Sequence, residues 1–136
     1  MVWWFIVPNV TFGEDALSDL ELIIGERAFI LTDSVIAGLG YPNRVKEILE
    51  ESGWETIIWD RAEPDPRVSV CKNAADAMTE FSPDWIIAVG GGSVMDTAKA
   101  AWILYEHPET KLEAVTPLEP LDLRNKAKLL LLLQDL

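Results

Sequence analysis

From residue 26 onward, short β-rich apolar runs alternate with stretches whose apolar residues recur at helical spacing, the pattern of an α/β fold. Residues 28–32 predict the first strand. Residues 42–52 predict a helix with Val45, Ile48 and Leu49 on one face, started by Pro42 and ended by Gly53. Residues 55–59 predict the second strand, and a proline-containing loop, residues 60–66, leads to a helix whose Val68, Cys71, Ala75 and Met78 share a stripe. That stripe puts Cys71 in the core. Residues 85–89 are an unbroken apolar run, as expected of a central parallel strand buried on both faces. Gly90, Gly91 and Gly92 follow directly, and a helix continues from Ser93 to about Tyr105 with Val94, Ala98, Ala101, Trp102 and Tyr105 on its buried stripe. After a charged, proline-punctuated connection over residues 106–128, the leucine run 129–133 supplies a fourth strand. At the start of the chain, residues 3–7 and 10–12 predict a hairpin around Pro8 and Asn9, and residues 15–24 a short helix capped by Gly25.

The 136 residues, 49% of them apolar, suffice for one compact core and are too few for two, so residues 1–136 are expected to form a single domain. Twenty-three acidic against 11 basic side chains leave a formal charge of −12, which excludes a basic surface suited to nucleic acid or anionic membrane. Cys71 is the single cysteine, so the chain has no internal disulfide and no cysteine-rich zinc site, which fits a reducing cytoplasm. The apolar start, residues 2–7, is stopped by Pro8 with no basic residue ahead of it, unlike a signal peptide. The run 129–133 is far shorter than the roughly 20 residues that cross a bilayer. A soluble, cytoplasmic protein is expected.

Chemistry concentrates where the third strand meets its helix. Strand, glycines and then helix is a phosphate-binding layout, because glycines let backbone amides approach an anion and the helix start adds unpaired amides and a positive dipole end. The spacing is neither GxGxxG nor GxxxxGK[ST]. A plain turn, with Ser93 as N-cap and Asp96 closing a capping box, accounts for those two residues but not for three consecutive glycines. The phosphate loop is therefore favoured, and both readings can hold together. Asp33, directly after the first strand, sits where an acid accepts hydrogen bonds from ribose hydroxyls and repels a 2′-phosphate; capping the next turn or helix is the plainer role. The prolines around Asp65 would hold it in a rigid loop facing a ligand, although a stiff connection before a helix is the favoured reading. His107 has no second His or Cys at ligand spacing and reads as a loop residue.

The segment Gly90-Gly91-Gly92-Ser93-Val94-Met95-Asp96-Thr97-Ala98-Lys99-Ala100 resembles the iron-containing alcohol dehydrogenases. Phe12-Gly13, Leu31-Thr32-Asp33 and Glu63-Pro64-Asp65-Pro66 agree with the same family in order, so the likeness runs from about residue 5 to residue 133 and covers the family's amino-terminal domain. The resemblance implies a Rossmann-like parallel sheet flanked by helices. It also implies a dinucleotide whose pyrophosphate is bound by Gly91, Gly92 and Ser93, with Asp33 favouring NAD over NADP. Asp96 and Lys99 match a DxxK pair near the nicotinamide, and Asp65 stands where many relatives carry Asn.

Relatives continue the leucine-rich strand into a Pro-Thr-Thr-x-Gly-Thr-Gly-Ser-Glu segment and then a helical domain, whose Asp and three His hold iron or zinc. Here the chain reads Leu132-Leu133-Gln134-Asp135-Leu136 and stops, which suggests a frameshifted or truncated gene or a chain ended near the domain boundary. The expectation is a cofactor half with no catalytic and no metal-binding residue of its own, and negligible oxidation of a small alcohol, or reduction of an aldehyde, by this chain alone. Exposed apolar surface, with the apolar residues 2–7 as a pairing edge, predicts a homo-oligomer. The alternatives are a glycerol dehydrogenase or dehydroquinate synthase-like domain, which the resemblance favours less, and a non-catalytic flavodoxin-like interaction domain whose glycine loop is only a turn.

Overall fold

A computed structural model of the chain describes residues 16–65, 67–112, 125 and 127–133. A 3-10 helix, Ala16–Leu22, comes first. It is followed by β1 (Arg27–Leu31), α1 (Ser34–Gly38), α2 (Tyr41–Glu51), β2 (Glu55–Trp59), α3 (Val68–Phe81), β3 (Trp85–Gly90), α4 (Gly92–Glu106) and β4 (Lys128–Leu133). The strands form a parallel sheet in the order β2-β1-β3-β4. Phe29 of β1 stands between Ile57 of β2 and Ile86 of β3, and Gly90 at the end of β3 stands beside Leu133 of β4.

Alternation of side chains along β1 and β3 builds two cores. Phe29, Leu31, Ile86 and Ala88 pack on one face against Ala74 and Met78 of α3 and Val94, Ala98 and Ala101 of α4. Ala28, Ile30, Ile87 and Val89 pack on the other against Val45 and Leu49 of α2, with Ile36, Trp54 and Leu20. Both faces are covered, which is why the two central strands read as continuous apolar runs. At the amino ends of the strands, Asp84 accepts hydrogen bonds from the backbone N–H groups of Glu26 (2.8 Å) and Arg27 (2.9 Å). The Arg27 guanidinium donates to the Phe81 carbonyl, lies 4.2 Å from the centre of the Phe81 ring and pairs with Glu55. That brace ties β1, β2 and the turn into β3 together.

The order of strands and helices is as the sequence predicts, with local differences. Helix α1 is additional, and Val68 at the start of α3 is 43% exposed rather than on the buried stripe. In α4, Trp102 is only half-buried, whereas Thr97 and Glu106 are fully buried. The short helix before β1 is of the tighter 3-10 kind and ends at Leu22, short of Gly25. The expected hairpin of residues 3–7 and 10–12, Phe12-Gly13 and the pairing edge 2–7 lie outside the described residues. Among the described residues, no helix is long and apolar enough to cross a membrane.

Candidate functional site

The chain reverses its direction of winding between β1 and β3, since β2 lies on one side of β1 and β3 on the other. Ligands of open parallel sheets collect outside the carboxyl ends of the strands at such a point. Here those ends are fastened by Thr32, which is fully buried. Its N–H donates to the Trp59 carbonyl (2.9 Å), its carbonyl accepts from the Ala62 N–H (3.2 Å), and its hydroxyl donates to the Val89 carbonyl (2.7 Å). One residue thus joins the ends of β1, β2 and β3 and brings Asp33, Gly90 and the start of the 60–65 loop to one edge. Sequence reasoning passed over Thr32; the available signal was a polar residue closing an apolar strand run just before Asp33.

The glycine run divides into two kinds of position. Gly90 has φ +155°, and a Cβ there would come within 2.7 Å of Val94 Cγ2, so only glycine lets the strand turn this close to α4. Gly91 and Gly92 differ: a Cβ on either would meet nothing within 4 Å. Gly91 is the N-cap of α4 with φ −92° and ψ −162°, which any residue can adopt, and no side chain caps the helix. The first-turn N–H groups have no intrahelical partner. Nothing within the described residues therefore requires the two missing side chains, whereas an anion seated against those amides would.

Ser93 lies inside the first turn of α4 rather than at its cap, so the expected capping box with Asp96 is not formed. The reason is that the helix starts as soon as Gly90 has turned the chain, with Gly91 as its cap two residues before the serine. The Ser93 carbonyl accepts from the Thr97 hydroxyl (2.8 Å), which satisfies that buried threonine. Asp96 and Lys99 are exposed further along α4. Asp33 is the N-cap of α1: its Oδ1 accepts from the Ile36 N–H at 2.7 Å. Its plainer role is thus present, and one carboxylate oxygen remains for another donor. Asp65 is exposed with φ +48°, in a loop spanned by the Glu63–Arg67 ion pair (3.0 Å). The structure therefore gathers Asp33, Gly91, Gly92 and Ser93 at the crevice, with Asp65 on the loop that Thr32 anchors through Ala62 and Asp96 and Lys99 along the helix.

A separate groove of about 550 Å³ lies between β2 and α3, lined by Trp59, Asp60, Arg61, Asn73, Asp76 and Glu80, away from the glycine loop. Burial pushes the Cys71 thiol up, which disfavours the nucleophilic thiolate. Among the described residues, no group of three or more His, Cys, Asp or Glu stands where it could hold a metal ion.

Residues 8–132 match the family described as iron-containing alcohol dehydrogenase. The chain belongs to that family. It is 40% identical over 129 residues to the NADPH-dependent butanol dehydrogenase of Clostridium saccharobutylicum, covering 93% of this chain and 33% of the relative. To the bifunctional aldehyde-alcohol dehydrogenase AdhE of Escherichia coli K12 it is 36% identical over 130 residues, which cover 93% of this chain and 14% of that one. Among solved structures, the iron-containing alcohol dehydrogenase of Thermococcus thioreducens superposes with a TM-score of 0.77 at 29% identity, over 89% of this chain and 34% of the other. The chain thus spans a third or less of the length of these dehydrogenases.

Proposed function

We propose that the crevice at the carboxyl ends of β1 and β3 binds a nicotinamide dinucleotide, and that this iron-containing alcohol dehydrogenase domain is the cofactor half of an enzyme acting on a small alcohol or aldehyde. The observation that carries the reading is the open space above Gly91 and Gly92, at the uncapped start of α4. In this reading the first-turn amides of α4 and the Ser93 hydroxyl hold the pyrophosphate. Asp33, steadied through its bond to Ile36 N–H, offers its other oxygen to a ribose hydroxyl. Its negative charge disfavours a 2′-phosphate, so NAD is preferred over NADP, in contrast to the NADPH-dependent butanol dehydrogenase relative. Asp96, Lys99 and Asp65 are assigned to the nicotinamide side. When bound, the nicotinamide supplies the hydride acceptor or donor, and the protein's part is to bind and orient it.

The family's name implies iron, and the described residues do not fit such a site: they offer no cluster of ligands, and the whole sequence has one histidine. We therefore assign no catalytic group to these 136 residues and propose that, by themselves, they bind cofactor without turning over alcohol. Assembly into a homo-oligomer and a cytoplasmic location belong to the same proposal. A calorimetric titration with NAD and, separately, NADP at matched ionic strength tests the cofactor reading. Saturable binding that favours NAD supports it, and equal or stronger NADP binding would overturn the role given to Asp33.

A further inference from the structure

Strand β4 is one lysine followed by five leucines. Elsewhere in the sheet the differing sizes of the side chains, such as Ala28 beside Phe29 in β1 and Ile87 beside Ala88 in β3, help to specify which residues pair, because a slip would move a side chain of the wrong size into the core. A slip of one residue in β4 changes only the ends of the strand, where Lys128 or Gln134 enters a leucine position, and leaves leucine on both faces in its middle. Yet β4 pairs with β3 in one register, Ile87 beside Leu130 and Gly90 beside Leu133. The identical leucines in the middle of the strand do not set it; Lys128 contributes at the start, where its N–H donates to the Asp84 carbonyl (3.0 Å) and its ammonium lies 5.4 Å from the centre of the Trp85 ring.

Further anchors stand just before the strand. Ala127 is fully buried and is held from both sides by α4: its N–H donates to Glu106 Oε1 (2.8 Å), and its carbonyl accepts from Trp102 Nε1 (3.0 Å). The other oxygen of Glu106 accepts from the Asn125 N–H, and the Asn125 side chain donates to the Tyr105 carbonyl (3.1 Å). Glu106 has no exposed surface, and both its oxygens are engaged by backbone donors of this one segment. A buried carboxylate that loses its donors is costly, so any slip of the segment is penalised there, even where leucine replaces leucine in the strand.

We infer that Glu106 and Trp102 are positioning residues that set the register of β4. The consequence reaches the crevice, because a two-residue slip shifts the end of β4, which pairs with Gly90 through Leu133, by about 6.6 Å. That functional part rests on the dinucleotide reading; the register claim stands apart from it.

The test uses the isotope-labelled 136-residue chain and backbone nuclear Overhauser contacts between β3 and β4. Wild type is expected to show one set, including Ile87 with Leu130. Glu106→Ala is expected to show a second set of resonances for residues 128–133 and Gly90, with contacts displaced along β3. The apparent Kd for NAD should rise by the reciprocal of the in-register fraction. Glu106→Gln, which keeps the volume and one acceptor, gives a weaker form of the same result and carries the test if the alanine variant does not fold. Adding Leu131→Thr, at a position 37% exposed in the native register, restores a single set, because slips that carry the threonine into the position of the half-buried Leu129 or Leu130 are disfavoured. A simple loss of hydrogen bonds would not be rescued this way. A single wild-type set of contacts in both Glu106 variants, or no restoration by Leu131→Thr, would overturn the inference. Absence of NAD binding by wild type refutes the cofactor reading alone and leaves the contact pattern to decide the register.

Discussion

Three single substitutions in one loop separate what the glycines do for the fold from what they do for a ligand. Gly90→Ala forces an L side chain into φ +155° and a methyl to within 2.7 and 2.9 Å of Val94 carbons. The backbone cost is about 1–3 kcal/mol, and pressing a methyl into a packed core adds about 1–3 kcal/mol. Against a total stability of about 5–15 kcal/mol, that is a large fraction. Gly91→Ala and Gly92→Ala add a methyl to open space, and Gly91 already has dihedrals that alanine accepts. Neither should destabilise, and Gly92→Ala, inside the first turn, should gain up to about 1 kcal/mol of helix propensity. The same methyl would occupy the volume a diphosphate needs to reach the amides at hydrogen-bond distance. The expected loss of NAD affinity is at least about tenfold, or about 1.4 kcal/mol. Urea denaturation and calorimetric titration of the three variants read the two effects separately. Unchanged NAD affinity in both Gly91→Ala and Gly92→Ala would refute the cradle, and wild-type stability in Gly90→Ala would refute the packing argument.

Asp33→Asn keeps an oxygen to cap α1, so unfolding free energy should change little, whereas the preference for NAD over NADP should narrow by about tenfold; a ratio identical to wild type in paired titrations would contradict the charge argument. Thr32→Val removes the hydroxyl that donates to the Val89 carbonyl and leaves that carbonyl short of a partner, a cost of about 1–3 kcal/mol by urea denaturation, and the NAD affinity should fall with it. Burial raises the Cys71 thiol, and burial together with the Glu106 and Asp84 carboxylates raises the Tyr105 phenol. Both groups hold their protons more tightly folded than unfolded, so stability should be full at neutral pH and decline as pH rises above about 8.5, the ordinary thiol value. Cys71→Ala should flatten the first part of that decline in denaturation curves taken from pH 7 to 10, and an unchanged slope would count against the buried-thiol account.

Elements with a strong periodic or unbroken pattern were legible from the chain alone. Strand β2 falls on residues 55–59 as predicted, and the apolar run at 85–89 is the central strand it promised to be, extended by Gly90. Helix α1 was not legible because its five residues carry no amphipathic stripe: Ile36 is buried while Val35 beside it and Leu39 at the C-cap are exposed. The start of α4 was misplaced because Ser93 followed by Asp96 imitates a cap, whereas the turn is made by Gly90 and needs no serine. At the site, the glycines and Asp33 stood out by residue type. Thr32 did not, since its role is to join three strand ends that are far apart in the chain. The register of β4 was hard to read for a related reason, because identical residues in the middle of the run are interchangeable and only its polar ends mark the alignment.

The central claim is that the start of α4 is a dinucleotide cradle. The most direct measurement is an amide chemical-shift titration of the labelled chain with NAD. The account predicts saturable shifts that are largest at Gly91, Gly92 and Ser93, with a second group at Asp33 and Ser34. Saturable shifts centred elsewhere, such as on Asp60, Asp76 and Glu80 in the groove beside α3, or no shifts at millimolar NAD, would contradict it.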